Sequence, residues 1–126
     1  MVRDLRSFYK KRGGFPKDLM ELEDVVWERK DIRDYSNDGR GLAHRNYYYL
    51  YTRLDHHLFS LWAIPVGRHR DEAATWFLIV TPESVRRWKG AALSPKDINV
   101  LTLDPSSNQL SLLGLIEQPT VLNQRN

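Results

Sequence analysis

The chain has 126 residues, 41% of them hydrophobic and 28% charged, with no cysteine, which excludes a disulfide framework, thiol catalysis and any cysteine-ligated metal centre. Nineteen Lys and Arg against sixteen Asp and Glu leave a net charge of +3 and a pI near 9.3, too mild a bias to name a partner by itself. No apolar run approaches the roughly 18 residues of a membrane span, and MVRDLRSFYKKR carries charge where a signal peptide needs its apolar stretch, so a soluble, cytoplasmic protein is expected.

Residues 2–12 place Val2, Leu5, Phe8 and Tyr9 at helical spacing, with Arg3, Arg6, Lys10 and Lys11 mostly on the other side, and Gly13-Gly14 supplies a stop. A second helix is predicted from about 16 to 30, started by Pro16, with Leu19, Leu22 and Val26 on its apolar stripe and Asp18, Glu21 and Glu23 near its N-terminal end. The stretch Val25-Val26-Trp27 fits the start of a strand equally well. Ser, Asn, Asp and two glycines between Tyr35 and Asn46 indicate a loop.

Three runs rich in aromatic and β-branched residues follow, Tyr47 to Leu54, Leu58 to Val66 and Thr75 to Thr81, and they are expected to form an antiparallel meander. Thr81 and Pro82 provide a cap and first-turn proline for a short helix ending at Gly90. Another helical turn at Ser94 to Asp97, a strand at 98–103 and a strand at 110–116 complete the reading, the last two as a C-terminal hairpin. The expected architecture is therefore a single α+β domain over residues 1–116 with a flexible tail at 117–126. An antiparallel sheet of about five strands packs against two N-terminal helices and one short helix after the third strand. Trp62 to Val66 and Trp76 to Val80 are apolar on both alternating faces. Each face then needs cover, from the chain's own helices and loops or from a second copy in a homodimer.

The sharpest short motif is Glu28-Arg29-Lys30 with Asp34. It resembles the ERKxxxD signature of the XPF-type structure-specific nuclease family, which implies carboxylates holding a divalent cation beside a lysine. The likeness covers seven residues. That family's motif follows a strand ending in Gly-Asp and precedes parallel α/β elements, whereas Gly13-Gly14-Phe15-Pro16 precedes it here and hairpins follow, so no function is taken from it.

His44, His56, His57 and His69 fall in predicted loops without HxH, HExxH or HxxxH spacing, and no serine stands in a nucleophile elbow. No catalytic residue, metal site or cofactor is expected. What remains is surface: 14 aromatic residues, 13 arginines among the 19 cations, and doubly apolar strands. Tyr, Trp and Arg dominate interface hot spots, which favours a non-catalytic protein-interaction or regulatory module that self-associates or holds a protein partner through an apolar, aromatic sheet face. The alternative is a small nucleic-acid-associated protein contacting phosphates through Arg68, His69, Arg70, Arg86, Arg87 and Lys89.

Overall fold

The computed structural model describes residues 1–28, 33–94 and 105–119. Helix α1 spans Val2–Arg12 and ends where Gly13, at φ 81°, turns its N–H back to the Tyr9 carbonyl. Seven strands follow: β1 Asp34–Tyr35, β2 Gly41–His44, β3 Tyr47–Asp55, β4 Leu58–Pro65, β5 Thr75–Val80, β6 Val85–Gly90 and β7 Ile116–Glu117. They form one antiparallel sheet in chain order, and a short helix α2, Ser107–Leu112, lies between the last two. The protein is thus a single small α+β domain, and among the described residues its sheet has seven strands rather than about five, with one long helix.

The sheet has a core on each face. On one side Leu5 and Phe8 of α1, with Phe15, Leu19 and Leu22, cover Leu42, Tyr51, Phe59, Leu61 and Val80. On the other, Leu110 and Leu115 close over Leu50, Trp62, Ile64, Phe77 and Trp88. Strict alternation in β4 explains the division: Phe59 and Leu61 point to the first core, Trp62 and Ile64 to the second. Most of the doubly apolar strand β4 is therefore covered on both faces by its own chain.

The three central strands lie where the aromatic and β-branched runs place them. Four expectations are corrected. Residues 16–28 do not form a long helix; Leu19–Leu22 make one 3-10 turn, and Asp24, at φ 65°, reverses the chain with its N–H on the Trp27 carbonyl. Glu23 is held there by Arg33 at 2.8 Å and by the Tyr35 hydroxyl at 2.6 Å, which ties the turn to β1. The 35–46 loop contains β2, which pairs with β3 from Gly41↔Leu50 to His44↔Tyr47.

The predicted helix at 81–90 is a hairpin turn followed by β6. Thr81 accepts the Ser84 and Glu83 N–H groups at its Oγ1, the same chemistry that would cap a helix, and Pro82 suits either structure. As a strand, residues 85–90 bury Trp88 against Phe77, ring centroids 5.7 Å apart. The predicted strand at 110–116 is mostly helix and turn: Ser106 and Gln109 form a reciprocal capping box that starts α2, and Gly114, at φ 83°, ends it. Glu117 nevertheless pairs with Trp88, and the Gln118 N–H reaches the Arg87 carbonyl, so the sheet continues past residue 116. The expected strand at 98–103 and most of the helical turn at 94–97 lie outside the described residues. Among the described residues, no helix is long and apolar enough to cross a membrane.

Candidate functional site

The basic residues singled out in the sequence do not converge on one surface. Arg68, His69 and Arg70 are exposed in the loop between β4 and β5, where Arg70 faces Asp71 at 4.0 Å and His69 faces Glu72 at 3.6 Å. In β6, alternation sends Arg86 to one face and Arg87 and Lys89 to the other. Arg86 donates two hydrogen bonds to the Glu117 carboxylate, at 2.9 and 3.0 Å, and lies 4.7 Å above the Trp88 ring. Those hydrogen bonds raise the Arg86 pKa and lower that of Glu117. Arg87 donates to the Pro119 carbonyl, and Lys89 holds its ammonium 5.4 Å over Trp76. Lys89 shares the loop's end of the sheet because it pairs with Trp76, next to Thr75; Arg86 pairs with Ile79, about 10 Å further along at the usual strand rise.

One concave surface is apolar and lies on the α1 face of the sheet. Helix α1 covers part of that face through Leu5 and Phe8. Beyond the helix start, Tyr47 and Tyr49 of β3, Leu61 and Ala63 of β4, and Trp76 and Leu78 of β5 line a groove of about 310 Å³ with Met1 and Val2. The register makes this set contiguous: Tyr49 stands opposite Ala63, and Ala63 opposite Trp76. All are on one face because they occur at every second position.

The walls of the groove are fixed. The Tyr47 and Tyr49 rings stack with centroids 6.1 Å apart, and the Tyr47 hydroxyl donates to the Ala74 carbonyl at 3.1 Å. Burial raises the Tyr49 pKa, with Tyr47 adding to the effect and Arg45 opposing it. Lys89 over Trp76 and Arg45 beside Tyr49 give the rim positive charge, and no carboxylate lines the groove among the described residues.

Among the described residues, no group of three or more His, Asp or Glu side chains could hold a metal ion. Glu28 and Asp34 are both described; the Glu28 carbonyl accepts from Arg33, and Asp34 pairs with Ala43 in β1. Arg29 and Lys30 lie outside the described residues. His57 accepts or donates at Nδ1 to the Tyr9 hydroxyl, 2.6 Å away, and so joins the β3–β4 turn to α1.

The sequence reading found the tyrosine run and the tryptophan but not the groove. Alternation marks Tyr47, Tyr49, Trp76 and Leu78 as sharing faces within their own strands; only the register and the position of the α1 start bring them together. No protein-family model, curated protein or solved structure matches this chain.

Proposed function

We propose that the protein is a non-catalytic interaction module whose groove receives an apolar segment of a protein partner, with Asp or Glu flanking that segment. The observation that carries this reading is the uncovered part of a sheet face whose other part α1 buries, walled by Tyr47, Tyr49 and Trp76. Partly exposed aromatic side chains held in place by their neighbours lose little entropy on binding and make typical interface anchors. The cationic rim of Lys89 and Arg45 selects for acidic flanks.

A heterologous partner is favoured over a second copy by shape. Twofold self-association sets a surface patch against itself, and two facing hollows would leave a void instead of a packed interface. A protruding segment from another protein fills it.

The test is selection from a displayed library of random peptides, followed by titration of the enriched peptides against the wild-type chain and Trp76→Ala. Peptides with two or more large apolar residues next to Asp or Glu are expected, with binding weakened modestly by salt through the acidic flank and about 30-fold in the variant, the size of a hot-spot loss. Absence of enrichment would defeat the reading. So would light scattering that shows a salt-insensitive dimer with the groove closed to peptide, or a monomer that gains mass only on oligonucleotides at low salt.

A further inference from the structure

A second cleft, sharing no lining residue with the groove, runs between α1 and the β5–β6 turn. It encloses about 560 Å³ and is lined by Arg3, Arg6, Ser7, Tyr9, Lys10 and Pro82. Its volume lies within the roughly 300–1,000 Å³ range of small-molecule sites. Positions 3, 6 and 10 follow the i, i+3, i+7 pattern that puts three side chains on one helix flank, here three cations. Asp4 lies about 100° round the helix from Arg3, and no carboxylate lines the cleft among the described residues.

Arg6 is built in rather than loose. Its Nη2 donates to the Thr81 carbonyl at 3.1 Å and to the Ser84 carbonyl at 2.9 Å, which fixes the plane of the guanidinium against the turn. Its Nε is buried and has no hydrogen-bond partner among the described residues. The side chain is therefore held through Nη2, with the rest of the guanidinium beside the cleft that it lines. None of the ion pairs among the described residues involves Arg3 or Lys10, and Ser7 adds a hydroxyl to the lining.

We infer that this cleft binds a phosphoryl group carried by a small molecule. Three unneutralised cations repel one another, and a dianion relieves that repulsion while accepting from a fixed guanidinium. Arginine's planar fork matches phosphate oxygens, Lys10 supplies a mobile point charge, and the Tyr9 and Pro82 rings give the rest of the ligand an apolar wall.

The experiment is calorimetric titration and thermal shift of the full chain with inorganic phosphate, a nucleoside monophosphate and glycerol phosphate, each against sodium chloride of equal ionic strength. Saturable binding of at least one phosphate-bearing probe is expected, and the tightest of the three identifies the carrier. Arg3→Gln combined with Lys10→Gln leaves the Arg6 anchor in place and is expected to weaken binding at least tenfold without lowering Tm in the absence of ligand. Trp76→Ala is expected to bind phosphate as the wild type does, so loss of peptide binding and loss of phosphate binding are separable. Equal shifts with chloride, no saturation by any probe, or undiminished binding by the double variant would overturn the inference.

Discussion

Gly90, the last residue of β6, passes the Gly114 carbonyl so closely that a Cβ built on it would lie 2.8 Å from that oxygen and 3.1 Å from the Leu115 side chain. The missing side chain is what lets the segment after α2 cross the sheet and place Leu115, which is 2% exposed, in the second core. Gly90→Ala is therefore expected to destabilise the fold by about 1–3 kcal/mol through overpacking against backbone. Urea denaturation of the variant measures this, and an unchanged midpoint would show that the crossing gives way freely.

Tyr51 is completely buried in the first core, and its hydroxyl donates to the Pro16 carbonyl at 2.6 Å. Burial raises its pKa well above the ordinary tyrosine value, so the group stays protonated and the bond persists across the neutral range. Tyr51→Phe keeps the ring against Phe59 but orphans the carbonyl, at a cost of about 1–2 kcal/mol. Thermal denaturation reads the loss directly.

Asp38 organises the turn before β2. Its Oδ1 accepts from the Ser36 hydroxyl at 2.6 Å and the Arg40 N–H at 3.0 Å, and Oδ2 pairs with the Arg40 guanidinium at 3.1 Å. The Ser36 bond first, then the Arg40 N–H, hold its pKa down from 3.8 to about 2. A depressed carboxylate pKa stabilises the fold above the unfolded value, and that stability disappears as pH falls from about 4 to 2. The side chain is 55% exposed, and solvent screening limits the contribution to about 1 kcal/mol. Asp38→Asn is expected to flatten the difference in stability over that pH window; a slope identical to the wild type would contradict the assignment.

Arg45 turns the β2–β3 hairpin with φ at 56°, a left-handed conformation that asparagine tolerates better than arginine. Arg45→Asn is expected to raise stability by about 0.5 kcal/mol, measured as the denaturation midpoint. Since the same side chain supplies rim charge, acidic peptides should bind that variant slightly more weakly.

The elements that could be read from sequence were those whose local and tertiary preferences agree. Leu58 to Val66 has β propensity and is buried on both faces, so either criterion finds β4. Val85 to Gly90 is ambiguous locally because Thr81 and Pro82 start a helix and a tight turn with the same hydrogen bonds, and pairing with β5 decides between them. At 110–116 the leucines favour a strand, while Ser106 and Gln109 three residues on carry the capping signal that starts α2. For the candidate sites, the flank of Arg3, Arg6 and Lys10 was visible as a helix face, whereas the opposing turn was not. The anchoring of Arg6 has no sequence signature, since the carbonyls that hold its Nη2 lie 75 or more positions away.

The chain-order sheet also governs how the molecule assembles itself. From β1 to β6 each strand pairs with the next strand in the chain, across connections that run from two residues between β2 and β3 to nine between β4 and β5. These contacts close short loops at low entropic cost and favour rapid zipping outward from the β3–β4 hairpin. The step from β6 to β7 differs, because the chain leaves at Gly90 and returns only at Ile116. Closing that long excursion carries the largest loop entropy and is expected to come last, with the α1 side of the sheet and both candidate sites complete while the opposite core still awaits its lid.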